Sequence, residues 1–138
     1  MQLTRHSDYA LRVMLYLAGR PEELSGIRQI AEAYDISHNH LMKVVHALVK
    51  AGYLLSERGR YGGIKLSRGA ADINVGEVIR RIENIELAPC GSCRINGGCG
   101  LQSVFGEAIS AFLGVLEQYT LQDMLDHSPK VEDLFPRE

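Results

Sequence analysis

Three cysteines, Cys90, Cys93 and Cys99, fall within ten residues of the glycine-rich stretch from Pro89 to Gly100, and the 138-residue chain has no others. Thiolates are soft ligands. Three of them with one further donor can hold Zn²⁺ or an iron-sulfur cluster, and three thiols alone can act as a redox switch. The glycines between them reach positive φ without steric penalty, so gaps of this size let the sulfurs converge. No fourth ligand is at hand: three residues past Cys99 stands Gln102, a poor donor to iron, and no histidine lies near. The stretch runs into a helical pattern near Leu101, and the free N–H groups and dipole of a helix start favour an anionic centre there. No base or oxyanion constellation neighbours the cysteines, so the chain reads as a non-enzyme. A zinc-stapled interaction module is the alternative from another class.

The elements that must position this stretch are legible upstream and downstream of it. Thr4 is a helix cap, and Tyr9, Ala10, Val13, Met14, Leu17 and Ala18 recur at helical spacing, predicting a helix over Arg5–Ala18 that stops at Gly19. Ser25 is expected to cap a short helix over Ile27–Tyr34. After a break at Asp35 and Ile36, Ser37 caps a third helix from His38 to about Ala51, with Leu41, Val44, Val45, Leu48 and Val49 inward and Gly52 as its end. Two short helices with so brief a break form a helix-turn-helix, whose second helix is offered to the DNA major groove. Tyr53–Ser56 and Ile64–Ser67 read as strands flanking a glycine-rich turn with arginines at its tip, a wing. The fold class is therefore mainly α with a small β-hairpin wing: a winged helix-turn-helix followed by a long dimerisation helix.

The recognition helix opens with Ser37, His38, Asn39 and His40, with Lys43 a turn further on, groups able to bond base edges and phosphates. Ser37 also serves as the cap. Arg58 and Arg60 stand between glycines that let the backbone approach DNA closely, which suits a narrow minor groove. Charge supports this division. Residues 1–70 carry ten Lys/Arg against six Asp/Glu, net +4, while residues 71–138 carry five against eleven, net −6. A basic half facing phosphate with an acidic half held clear of it reconciles a net charge of −2 with DNA binding.

Val75, Val78, Ile79 and Ile82 predict a helix from Val75 to about Glu83. Beyond the cysteines, Leu101, Val104, Phe105, Ala108, Phe112, Val115, Leu116 and Tyr119 keep helical spacing for about five turns. That stripe is longer than a three-helix winged domain covers, so part of it packs on a second copy or folds back on its own core. Thr120, Asp123 and Leu125 suggest a last short helix, with a frayed tail after His127. The resulting organisation is 1–70 for DNA binding, 71–100 for a linker helix and the cysteine loop, and 101–138 for dimerisation. No signal-peptide pattern or apolar run of about 18 residues is present, and the chain is read as cytoplasmic without a membrane partner.

Taken together, Leu3 through Arg12, the wing Arg58-Gly59-Arg60-Tyr61-Gly62-Gly63, the three cysteines, and Glu107-Ala108 through Phe112 to Tyr119-Thr120-Leu121 resemble one group over nearly the whole chain. It is the iron-sulfur winged-helix repressor family of bacteria of the NsrR, IscR and RirA type, and the resemblance is greatest to its nitric-oxide-sensing members. The resemblance implies a homodimer joined by crossed long helices, a palindromic operator, and an affinity set by cluster state. From the residues alone Asp8 reads as a first-turn acid facing the helix dipole. The resemblance implies instead that it completes the partner subunit's cluster, giving Cys90, Cys93, Cys99 and Asp8 as the ligand set. The absence of a histidine at Gln102 implies a four-iron, four-sulfur (4Fe-4S) centre rather than the two-iron type (2Fe-2S). Cys93 and Cys99 match the family pattern best and Cys90 least, because its gap to Cys93 is short.

Overall fold

The computed structural model describes residues 2–88 and 90–128. Their order is α1 (Arg5–Ala18), α2 (Ile27–Tyr34), α3 (His38–Lys50), β1 (Leu54–Glu57), β2 (Gly63–Leu66), a 3-10 turn (Ala70–Asp72), α4 (Val75–Ile82), a second 3-10 turn (Cys90–Ser92), α5 (Gly100–Leu116) and α6 (Leu121–Asp126). Local signals account for most boundaries. The Thr4 hydroxyl accepts the Ser7 N–H at 3.3 Å, and Ser37 receives the His40 N–H at 3.5 Å. Between α2 and α3, Asp35 takes the left-handed conformation, φ +53°, which a short polar side chain tolerates, and Ile36 N–H closes on the Ala31 carbonyl at 2.9 Å. Gly52, at φ +87°, turns the chain out of α3 into β1.

One core gathers these elements. Ala10, Val13, Met14 and Leu17 of α1 meet Ile30 and Ala31 of α2, Leu41, Val44, Val45 and Leu48 of α3, and Leu54 and Ile64 of the hairpin. Ile73, Val78 and Leu121 belong to the same cluster, so α6 returns to close the domain that α1 begins. β1 and β2 pair antiparallel from Leu54 opposite Leu66 to Glu57 opposite Gly63.

Several boundaries differ from the sequence-based expectation. Ser25 does not cap α2, whose N-cap is Gly26 with no side-chain bond. Ser25 is instead buried and exchanges backbone bonds with Ile64, at 3.0 and 2.9 Å. This extra bridge ties the base of the wing to the α1–α2 connection, and it needs Gly63, because a Cβ there would sit 2.7 Å from the Ser25 carbonyl oxygen. β1 begins one residue later than expected, since the Tyr53 N–H donates to the Leu48 carbonyl at the end of α3, and β2 begins one residue earlier, with Gly63 opposite Glu57. Glu83 lies beyond α4, and Tyr119 lies beyond α5, its carbonyl accepting the Val75 N–H at 3.0 Å. The expected frayed tail falls mostly on residues 129–138, outside those described.

The start of α4 lies against the end of α5, so the two helices run antiparallel. At 1.5 Å per residue the 17-residue α5 is about 25 Å long and the 8-residue α4 about 12 Å. The N-terminal half of α5 therefore projects past α4 with the cysteine loop at its tip. Within α5 only Leu113 is buried, while Leu101, Val104 and Val115 are more than half exposed.

Candidate DNA-binding surface and cysteine site

On α3 the buried set Leu41, Val44, Val45 and Leu48 leaves Asn39, Met42, Lys43, His46 and Lys50 along the opposite, exposed face. Ser37 is exposed at the cap, whereas His38 and His40 are half-buried. The His40 ring meets the Tyr9 ring of α1 edge-on, centroids 4.9 Å apart. Met42 and His46 were missed in the sequence reading. Their signal was present: they lie three and seven residues after Asn39, on the face the core positions leave free.

The wing tip is a closed β-turn. Gly62 N–H bonds the Gly59 carbonyl at 3.1 Å, which makes Arg60 and Tyr61 its two central residues. Gly59 has φ +113°, and a Cβ on Gly62 would collide with the Glu57 carbonyl oxygen. Arg58, Arg60 and Tyr61 all stand exposed.

The cysteine loop forms a second site. Cys90, Cys93 and Cys99 wall one small cavity of about 140 Å³, together with Ala88, Asn96, Leu101 and Gln102. The short Cys90–Cys93 gap is taken up by a single 3-10 turn, with Cys93 N–H on the Cys90 carbonyl at 3.2 Å, and this carries Cys90 onto the same cavity as the other two. All three are free thiols. Cys99 is the N-cap residue of α5 and makes no side-chain capping bond, and Leu101 and Gln102 of the first turn of that helix line the cavity. Gln102 has a bracing role: its side-chain carbonyl accepts the Gly97 N–H at 3.3 Å. The donor set fits a three-thiolate share of a cluster, and the lining contains no carboxylate or imidazole. Among the described residues no three His, Cys, Asp or Glu side chains, the three cysteines included, stand close enough to grip a single metal ion.

Asp8 lies elsewhere in the same chain. It is on the exposed side of the first turn of α1, bonded to Arg12 Nε at 3.0 Å, and this bond raises the pKa of the Arg12 guanidinium. The start of α1 is in turn held by Glu83. Thr4 donates both its backbone N–H and its hydroxyl to Glu83 Oε2, each at 3.0 Å. Partial burial opposes ionisation of Glu83, but hydrogen bonds from Ser7 and Thr4 outweigh it and hold the carboxyl below its ordinary value. Glu83 is the residue at which α4 gives way to the segment leading into the cysteine loop. An apolar groove of about 510 Å³ runs alongside, lined by Leu3 ahead of α1, Leu11 of α1, Val75 and Ile79 of α4, and Phe112 and Leu116 of α5.

A helix-turn-helix with a glycine-hinged wing, followed by a projecting helix, defines a winged-helix DNA-binding transcriptional regulator. Residues 3–127 match the family model Rrf2, described as an iron-dependent transcriptional regulator, and the chain belongs to that family. Similar proteins include the HTH-type transcriptional regulator NsrR of Bacillus subtilis, 46% identical with 97% of each chain covered. The regulator of the same name in Shouchella clausii is 46% identical over 91% of this chain and 89% of its own. Among solved structures, T. potens IscR superposes with a TM-score of 0.78 at 28% identity, covering 96% of this chain and 91% of that one. These relatives are transcriptional regulators rather than enzymes, and among the described residues no helix is long and apolar enough to cross a membrane.

Proposed function

We propose that this protein is a homodimeric repressor that holds an iron-sulfur cluster of the 4Fe-4S type and loses operator affinity when nitric oxide reaches it. The observation that carries the reading is that Cys90, Cys93 and Cys99 all line one cavity at the start of α5, within a winged-helix regulator. When bound, such a cluster supplies iron that combines with nitric oxide. Residues 1–70 read the operator, residues 71–100 carry the cluster loop, and residues 101–138 dimerise.

Dimerisation completes the site. The projecting half of α5 exposes apolar side chains and the groove beside α4 is apolar, so one chain offers both surfaces that a two-fold interface would join. Leu3, just ahead of α1, and Leu11, one turn past Asp8, both line that groove, so a partner's α5 seated there brings its cysteine loop toward the Asp8 turn. Asp8 then serves as the fourth donor. A hard carboxylate is a weaker partner than thiolate for such a centre, which makes Asp8 the donor most easily displaced.

The DNA-reading groups are Ser37, His38, Asn39, His40 and Lys43 on the recognition helix, with Arg58 and Arg60 on the wing. A contact path leads to them: Glu83 holds the start of α1 through Thr4, and Tyr9, next to Asp8, touches His40 on α3. Release of Asp8 shifts α1 and the two recognition helices relative to half-sites about one DNA turn apart. A coupling on the order of 1–3 kcal/mol suffices for a useful switch.

The test is anaerobic reconstitution with iron and sulfide analysis, followed by nitric-oxide titration while binding to a duplex selected from a random pool is recorded. A colourless, zinc-loaded protein, or unchanged DNA affinity on titration, defeats the proposal. The family's description as iron-dependent supports a second reading, in which iron supply is the signal. Under that reading, affinity follows iron chelation and not nitric oxide.

A further inference from the structure

The proposed function gives the wing tip only its arginines, yet the most exposed large hydrophobic side chain among the described residues is an aromatic there. Tyr61 is 85% exposed, well beyond Val104 at 59% or Leu101 at 53% on the projecting helix. Neither strand needs it. The Gly59–Gly62 turn closes by its own backbone bond, and the hairpin's base is fixed through Leu54, Ile64 and Ser25.

The turn makes this exposure rigid. Arg60 and Tyr61 occupy the apex, Gly59 supplies the positive φ, and Gly62 allows a close approach to Glu57 that a Cβ would forbid. The Arg60 guanidinium carbon lies 5.7 Å from the centre of the Tyr61 ring, so the ring and the cation form one unit. Its width is that of two adjacent side chains on a two-stranded ribbon. It presents a charge, a flat apolar body and a hydroxyl able to donate or accept.

We propose that Tyr61 is a specificity-determining residue that reads A·T pairs in the minor groove beside Arg60. Arg60 is drawn by the strong negative potential of a narrow groove. Tyr61 packs along the sugar wall and occupies the floor space that guanine fills with its N2 amino group, the one feature that separates G·C from A·T in that groove. Its hydroxyl is placed to donate to the adenine N3 or thymine O2 acceptors that both A·T orientations share. This inference rests on the wing meeting DNA.

The experiment uses the full-length dimer and the palindromic duplex that it selects from a random pool, with the outer, wing-facing pairs set to A·T, G·C or inosine·C. Inosine keeps the major-groove pattern of guanine but lacks the N2 amino group. For the wild type, G·C in place of A·T weakens binding about tenfold or more, the ordinary cost of one wrong base pair, and inosine·C restores it to within about twofold. Tyr61→Ala leaves the thermal midpoint unchanged and lowers the A·T over G·C preference to about twofold or less, at unaltered salt dependence. Tyr61→Phe isolates the hydroxyl and retains the steric part of the preference. Arg60→Ala weakens binding to all three duplexes and reduces the salt slope by about one.

The proposal is overturned if Tyr61→Ala keeps the full preference, or if inosine·C binds as poorly as G·C. If Arg60→Ala and Tyr61→Ala both leave affinity and salt slope unchanged on a duplex that the wild type binds tightly, the wing does not meet DNA. That outcome overturns the proposal while leaving the recognition helix as reader.

Discussion

Replacing Gly76 by alanine sets two effects of opposite sign against each other. In a helix, alanine is favoured over glycine by about 0.5–1 kcal/mol, and Gly76 lies in α4. The seam between α4 and α5 opposes the change. A Cβ at this position would stand 2.6 Å from the Glu117 backbone nitrogen and 2.8 Å from its Cα, and nearer still to its Cγ, where ordinary contact is 3.4–4 Å. Relief requires the seam to open by roughly 1 Å. That opening strains the Asn74 side-chain bond to the Glu117 carbonyl at 2.6 Å and the backbone bonds Val75 to Tyr119 and Leu121 to Ile73 at 3.0 and 2.9 Å. Overpacking of this kind costs about 1–3 kcal/mol, and the three hydrogen bonds, lengthened but not broken, together add about 1 kcal/mol. The clash outweighs the propensity gain, and Gly76→Ala is expected to destabilise the protein by about 1–3 kcal/mol. With a urea m-value of about 2 kcal/mol/M, the unfolding midpoint falls by about 0.5–1.5 M. Glu117→Ala in the same background recovers little, because two of the three contacts are to backbone atoms. Equilibrium urea unfolding decides the matter. A variant as stable as wild type, or full rescue by Glu117→Ala, refutes the close approach of the two helices.

Asp8→Ala removes an exposed carboxylate and one i,i+4 ion pair, so the apo-protein should lose no more than about 0.5 kcal/mol, while the reconstituted holo-protein bleaches faster under nitric oxide. Identical bleaching kinetics would exclude Asp8 as a ligand. Cys90→Ala should lower bound iron and sulfide despite the short gap to Cys93, because Cys90 shares the cavity with the other two thiols; unchanged stoichiometry removes it from the ligand set. Glu83 is held below the ordinary glutamate value of 4.5, so its contribution is complete above that range and is lost as pH falls through the depressed folded-state pKa. The stability difference between wild type and Glu83→Ala should therefore be constant near neutrality and shrink below about pH 4.5. A difference independent of pH would show that the carboxylate charge is not what holds Thr4. Tyr9→Ala should weaken the transmission of cluster state to DNA affinity while cluster loading is kept, measured as the holo-to-apo ratio of dissociation constants. An unaltered ratio takes the Tyr9–His40 contact out of the path.

Wherever the controlling interaction spans a few residues, the sequence alone determined the outcome. Thr4, Ser37 and Thr120 cap α1, α3 and α6 through bonds to residues three positions on, and the apolar spacing of α1 and α3 picks out most of the buried side chains, missing Ser7 and Tyr16 and including the partly buried Tyr9 and Val49. The helix-turn-helix, the wing with its arginines and the clustering of three thiols were readable for the same reason. Tertiary structure alone decided matters set by partners far along the chain. Ser25 has a capping residue's chemistry, but its backbone is claimed by Ile64, and the cap passes to Gly26. Glu83 reads as a helix-end acid until Thr4, 79 residues away, is found donating to it. Gln102 and Gly76 carry no signal of their roles in loop bracing and helix approach. Spacing also could not show that the short Cys90–Cys93 gap still brings Cys90 to the common cavity, because that depends on the 3-10 turn formed between them. Caps and periodicities are encoded by neighbours in sequence, whereas convergence of a site is encoded by neighbours in space.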